Sequence, residues 1–261
     1  MNPRDQFELE RRERLDEYAK DAEFQSLSQR WLEASMQRKY VYNFEWMGRP
    51  IIQYPQDIVA VQELVMRVRP DVIIETGIAH GGSLVLSASL LALLDMEEAI
   101  AAGISLDPKK SQRKVIGIDI DIRAHNRQAI EAHPMSSRIK MVEGSSIDPV
   151  TVAAVHQLCQ GASKVLVFLD SMHTHDHVLA ELDAYAELVS EGSYCVVFDT
   201  FVEDMPSGFF SDRPWDVGNN PKTALRQWLA SHPQFEVDKS WQDKLMVTVA
   251  PDGFLRRKLS S

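Results

Sequence analysis

Four acidic residues close four apolar runs of this sequence: Glu75 after Val72-Ile73-Ile74, Asp119 after Val115-Ile116-Gly117-Ile118, Asp170 after Val165-Leu166-Val167-Phe168-Leu169, and Asp199 after Tyr194-Cys195-Val196-Val197-Phe198. Parallel sheets bind ligands beyond the carboxyl ends of their strands, so acids at strand ends are placed for chemistry. Asp170 and Asp199 together offer the hard oxygen ligands that Mg²⁺ or another divalent cation prefers. Such a cation would acidify a hydroxyl bound beside it; the plainer reading is that the two acids cap helices or line a turn. Asp170 also opens the run Asp170-Ser171-Met172-His173-Thr174-His175-Asp176-His177, three imidazoles and two carboxylates at one strand tip. An ordinary imidazole titrates near ~6.5, which suits His173 to removing a hydroxyl proton. His175 and His177 serve equally well as solvated residues opening the helix that leads to Leu182 and Leu188.

The segment Glu75-Thr76-Gly77-Ile78-Ala79-His80-Gly81-Gly82-Ser83 lies between an apolar strand and a stretch of helical length, Leu84 to Leu94. Glycines there allow close backbone approach, and the helix start offers free amides; alone, the cluster is equally well a tight turn capped by Ser83. The spacing is not Gly-x-Gly-x-x-Gly, which argues against a dinucleotide. An acid ahead of the first glycine is the pattern of S-adenosylmethionine sites, and it nominates Glu75, Thr76, Gly77, Gly81, Gly82 and Ser83 as donor-binding. Asp119 is placed to accept from both ribose hydroxyls, a device NAD proteins share, while Asp121 serves as a helix cap in the alternative reading. Ser145, in Gly144-Ser145-Ser146, reaches toward an adenine edge, and Asp148-Pro149 reads as a helix N-cap with proline in the first turn. Asp170 completes the donor-binding set.

These residues need a scaffold, and the pattern supplies one. The four runs and a fifth, Ile139-Lys140-Met141-Val142-Glu143, alternate with helix-compatible segments, as in a doubly wound α/β fold with a parallel sheet. Phe235-Glu236-Val237-Asp238 and Leu245-Met246-Val247-Thr248-Val249 add two strands that pair as a hairpin. The expected whole is a seven-stranded, Rossmann-like sheet of the class I methyltransferase type. Residues 5–38 hold neither Gly nor Pro and read as one or two helices for substrate capping or subunit contact, implying a homo-oligomer. A break at Gly48-Arg49-Pro50 and a helix over 56–69 divide the chain into a helical extension, 1–50, and the main domain, 51–261.

Composition narrows the partners. A formal charge of −10 repels a phosphate backbone, and only Arg256-Arg257-Lys258 offsets it locally, so nucleic acid is excluded. Two cysteines, Cys159 and Cys195, make no disulfide framework; no transmembrane segment or targeting leader is visible, and the cytoplasm is expected. Acceptor specificity is expected in the N-terminal helices and in the loop Phe201 to Asn220, with Phe209, Phe210 and Trp215.

From about Tyr40 to Lys258 the chain resembles the Mg²⁺-dependent O-methyltransferases that include cephalosporin hydroxylase-like proteins and relatives acting on sugars. The motifs above carry the resemblance, with Asn219-Asn220-Pro221-Lys222-Thr223-Ala224. The resemblance implies Asp170 as metal ligand, His173 as base, and a sugar or glycan hydroxyl as acceptor. Relatives often pair two acids, or an acid and an amide, at the fifth strand end; here Phe198 and Thr200 flank Asp199, leaving Thr200, Glu203 or water to complete the metal. Hydroxylation by a 2-His-1-carboxylate iron site would need an acid two positions after a histidine, and no histidine here has one. Two rivals remain. A metallohydrolase would use His173-Thr174-His175-Asp176-His177, one residue short of the His-x-His-x-Asp-His zinc spacing; a non-catalytic protein would bind an adenosine ligand beside a decayed metal site.

Overall fold

A computed structural model describes residues 2–260. The helical extension forms α1 (Pro3–Tyr18) and α2 (Ala22–Gln37), with Asn2 and Asp21 as their N-caps. Next comes an antiparallel hairpin, β1 (Phe44–Trp46) with β2 (Arg49–Ile51), where a simple break was expected. Its two-residue turn, Met47-Gly48, has positive φ at both positions, the conformation that a tight hairpin demands. Then follow α3 (Pro55–Val68), β3 (Val72–Thr76), α4 (Gly82–Ala102), β4 (Lys114–Asp119), α5 (Ala124–Glu131) and β5 (Ile139–Glu143). The second half runs through α6 (Pro149–Leu158), β6 (Val165–Leu169), α7 (His175–Tyr185), β7 (Tyr194–Val197), α8 (Pro221–Leu229), β8 (Phe235–Val237), α9 (Ser240–Leu245) and β9 (Phe254–Arg257).

Seven strands form one sheet in the order β5-β4-β3-β6-β7-β9-β8, parallel except for β9, which runs antiparallel to both neighbours. Strand alternation sorts the core onto two faces. Ile73, Val115, Leu166 and Val196 pack beneath α3 and α4, while Ile74, Ile116, Val167 and Val197 pack beneath α6, α7 and α8. Leu32 of α2 and Val41 join the first of these clusters. The order reverses between β3 and β6, which opens a crevice at their carboxyl ends. Cys159 and Cys195 are buried free thiols, as expected. Among the described residues no helix is long and apolar enough to cross a membrane.

The seven-stranded expectation holds, but its last strand is not where β-branched residues suggested. Leu245 ends α9, Met246 turns with positive φ, and residues 247–249 lie outside the sheet; Phe254–Arg257 pairs with β8 instead. A tertiary contact wins here. Asp57, in the first turn of α3 and 1% exposed, accepts hydrogen bonds from Thr248 Oγ1 (2.5 Å) and the Val249 amide (3.0 Å). The second bond takes a backbone amide that a strand would have used, and the first ties the neighbouring side chain to α3.

Burial raises the Asp57 carboxyl from 3.8 to about 7, against the pull of the Thr248 and Val249 hydrogen bonds. A carboxyl with a raised folded value takes up a proton on folding. Its contribution to stability is complete below about pH 4 and is lost as pH rises toward 7. Urea unfolding of the wild type and Asp57→Asn should show the wild type's relative stability falling by on the order of 4 kcal/mol across that window. A pH-independent difference would refute the assignment.

Candidate active site

The glycine turn leaves β3 at Thr76 and enters α4 at Gly82. Its glycines serve close packing. A Cβ on Gly77 would stand 2.0 Å from the Asp170 carbonyl oxygen, and one on Gly82 would stand 2.2 Å from the Pro50 carbonyl oxygen. The space denied to side chains is therefore filled by β2 and by the end of β6. Gly81, with φ of 82°, is the N-cap of α4 in place of the expected Ser83.

Side chains from three elements fix the turn. Asp119 Oδ2 accepts from the amides of Ile78 (2.9 Å) and Ala79 (3.2 Å), and its Oδ1 accepts from the Asp121 amide (3.2 Å). Arg49 Nε donates to the His80 carbonyl (2.9 Å), and Asn126 Nδ2 donates to the Ala79 carbonyl (2.9 Å). Arg49 also donates to Asn126 Oδ1 at 2.9 Å, closing the set. Asp121 caps no helix, since α5 begins after Arg123. Glu75 lies beneath the turn, 3% exposed, and accepts from Ser87 of α4. Burial raises its carboxyl to about 7, although the Ser87 and Ser83 hydroxyls lower it.

At the end of β6 the Asp170 amide donates to Thr76 Oγ1 (3.1 Å), tying this acid to the turn. Asp170, His173 and Asp199 then converge, their ligand atoms all within 4.8 Å of one another. His173 Nε2 lies 2.9 Å from Asp199 Oδ2, and the His173 ring meets the Trp215 ring edge-on at 4.6 Å. Asp199 adopts a left-handed backbone (φ 55°), which aspartate tolerates and most side chains resist. Burial pushes the Asp170 carboxyl well above the ordinary range and the Asp199 charge pushes it further, against the pull of His173. Burial alone would lower His173, but the Asp199 charge and hydrogen bond outweigh it and hold the imidazole at about 8. Two carboxylates this close repel when both are ionised unless a cation lies between them; His173 answers only part of that charge, so the donor set of two carboxylates and an imidazole fits a divalent metal.

The other histidines diverge. His175 turns to α8, with Nδ1 2.8 Å from Thr223 Oγ1 and Nε2 3.2 Å from Gln227 Oε1. His177 Nε2 lies 3.0 Å from Ser146 Oγ and 3.5 Å from Glu181 Oε1. A zinc hydrolase built on the three therefore has no common centre. Thr200 and Glu203 are also engaged elsewhere: Thr200 Oγ1 donates to the Pro251 carbonyl, and Glu203 accepts from the Gly218 amide and from Asn220. Phe198 is buried against Phe168. Neither Thr200 nor Glu203 reaches the cluster as a ligand.

A cleft of about 940 Å³ joins these parts. Gly77, Gly82 and Ser83 line it together with Asp170, His173 and Asp199 and with the aromatic Phe209, Phe210 and Trp215. Glu75 and Thr76 border a smaller cavity beneath, while Asp119 and Ser145 stand outside the cleft. The Ser145 carbonyl accepts from Asp148, whose side chain caps α6 as expected. The size and mixed lining suit a nucleoside-sized donor beside a second substrate. Sequence reasoning missed Arg49, Gln53 and Asn126. Their only signal was polarity inside otherwise apolar or helical stretches.

Comparison with known proteins came to the same place. Residues 38–258 match the family model Rhamnosyl O-methyltransferase/CmcI. Rhamnosyl O-methyltransferases of Mycobacterium tuberculosis and Mycobacterium leprae are 27% and 25% identical over 227 and 215 residues, covering 84% and 82% of this chain and 82% of each relative. Among solved structures, CmcI with magnesium and S-adenosylmethionine has a TM-score of 0.54 at 18% identity, over 84% of this chain and 78% of that one. CmcI with S-adenosylhomocysteine has a TM-score of 0.53 at 19% identity, over 83% of each. Both likenesses bear on the fold.

Asp119→Ala removes the acceptor for three backbone amides and frees the turn. Calorimetric titration should show S-adenosylhomocysteine binding weakened about 10–100-fold, the effect of losing one to two hydrogen bonds' worth of preorganisation. Unchanged affinity would mean that Asp119 neither shapes the turn for the ligand nor meets it.

Proposed function

This chain belongs to the rhamnosyl O-methyltransferase/CmcI family, and we propose that it transfers the methyl group of S-adenosylmethionine to a sugar hydroxyl held over Asp170, His173 and Asp199. The observation that carries this reading is the convergence of those three side chains in a cleft that the glycine turn also lines. S-adenosylmethionine supplies an electrophilic methyl group, and a Mg²⁺ ion supplies charge that acidifies the acceptor hydroxyl. The chain's own residues do the rest. Asp170 and Asp199 hold the cation. The turn from Glu75 to Ser83 receives the donor, and Asp119 shapes that turn from outside the cleft, its oxygens held by backbone amides where ribose hydroxyls were expected. His173 takes the hydroxyl proton, and Asp199, whose Oδ2 lies 2.9 Å from Nε2, stabilises the imidazolium that forms. Asp199 and the edge of Trp215 fix the plane of the imidazole, so the base is oriented before the acceptor arrives.

A rhamnosyl glycoside is the acceptor class that the relatives' names suggest. Phe209, Phe210 and Trp215 support it, because aromatic faces pack well on the apolar face of a deoxysugar and keep water from the donor. The buried free thiols Cys159 and Cys195 favour a reducing compartment, the cytoplasm. Phe7, Phe24, Leu27 and Trp31, exposed on α1 and α2, favour self-association.

Methyl transfer from labelled S-adenosylmethionine to rhamnosyl glycosides tests the reading, and chelation of divalent ions should abolish it. No donor binding, or no transfer to any glycoside, would count against it. His173→Ala should lower kcat about 10²–10⁴-fold while leaving donor affinity within about twofold. Full turnover in that variant would remove His173 from the role of base.

A further inference from the structure

Gln53 follows β2 and is 6% exposed, yet its carbonyl oxygen Oε1 is buried with no hydrogen-bond partner. A buried amide end left unpaired costs roughly 1–3 kcal/mol, and a half-turn of the Gln53 amide only exchanges which end is unpaired, so its retention among these acids asks for a ligand. The other end of the same amide lies 3.4 Å from Asp170 Oδ2, at the outer limit of hydrogen bonding. Gln53 borders the main cleft together with Asp170, His173 and Asp199. It also borders the smaller cavity together with Asp170 and Phe198. Phe198, adjacent to Asp199, offers no oxygen, and Thr200 and Glu203 are bound elsewhere. The cluster is thus short of an oxygen donor, and Gln53 is the polar side chain beside Asp170 that can offer one.

We infer that Gln53 is a direct oxygen ligand of the divalent cation, its amide carbonyl standing in for a carboxylate that the end of β7 lacks. Turning the amide half a revolution about its last bond places Oε1 where the nitrogen now lies, about 3.4 Å from Asp170 Oδ2. Two oxygens on one Mg²⁺ ion are at most about 4.2 Å apart, twice the metal–oxygen distance of about 2.1 Å. The neutral carbonyl adds no charge to a site that already holds two carboxylates. It therefore adds a ligand without worsening their repulsion when the metal leaves. The hairpin that carries Gln53 becomes part of the metal site.

The inference rests on the metal-centred reading above, and the test separates the two. Mn²⁺ affinity is measured by electron paramagnetic resonance on the full chain, and metal-bound water is counted from Tb³⁺ luminescence decay in H₂O and D₂O. Wild type, Gln53→Leu and Gln53→Glu are compared, with metal-free S-adenosylhomocysteine binding as the control for folding. Gln53→Leu should weaken Mn²⁺ about 10–100-fold and add one coordinated water. Gln53→Glu should bind Mn²⁺ at least as tightly as wild type with the wild-type water count. Weaker binding with an unchanged water count in Gln53→Leu would make Gln53 a positioning residue for Asp170 and overturn direct ligation. So would Mn²⁺ affinity unchanged in Gln53→Leu, or Mn²⁺ binding lost in Gln53→Glu. If wild type itself bound no Mn²⁺ or Tb³⁺, the metal-centred reading would fail, and this inference with it.

Discussion

Negative charge crowded at one edge of a low-dielectric sheet is the constraint around which this molecule is organised. Glu75, Asp119, Asp170 and Asp199 end four neighbouring strands, β3, β4, β6 and β7, and none can be left without a partner at acceptable cost. Each is answered differently. Glu75 faces serine hydroxyls and is held near neutrality by burial. Asp119 spends both oxygens on backbone amides. Asp170 and Asp199 face each other across one imidazole, and theirs is the account that stays open. Reactivity concentrates where compensation from the protein itself is incomplete.

The sheet was legible because burial on both faces leaves little freedom of composition. Strands β3, β6 and β7 are buried at every position, and such runs read as apolar whatever surrounds them. The acids that terminate them were equally visible, since a carboxylate after four or five apolar residues has few structural uses. Residues 247–249 misled for the same reason, being β-branched and apolar without belonging to a sheet. The Asp57 carboxyl, 191 and 192 positions away from its two partners, holds them out of the sheet. Propensity carries no information at that range.

The histidine run teaches a complementary lesson about local density. Positions 173, 175 and 177 look like a cluster on paper. In space the first sits in the loop before α7, while the other two lie on the helix itself, two residues and about 200° apart around its axis. Each meets a different neighbour: Asp199, Thr223 and Ser146. Gln53 and Arg49 show the reverse. Nothing near them in sequence is chemical, yet the β1–β2 hairpin delivers one to Asp170 and the other to the glycine turn.

That hairpin also fixes the order in which the site can come together. Gln53 meets Asp170 across 117 residues, and β7 adds Asp199 later still, so none of the three can be in place until distant parts of the chain have closed. Contacts of such long range carry the largest loop-closure entropy and form late in folding. Arg49 and Asn126 are tied across 77 residues in the same way. The catalytic end of the sheet is therefore held by closures between parts of the chain that are far apart in sequence. A ligand bridging the β1–β2 side to Asp170 and Asp199 closes those loops a second time, acting as a staple between segments that no peptide bond keeps together.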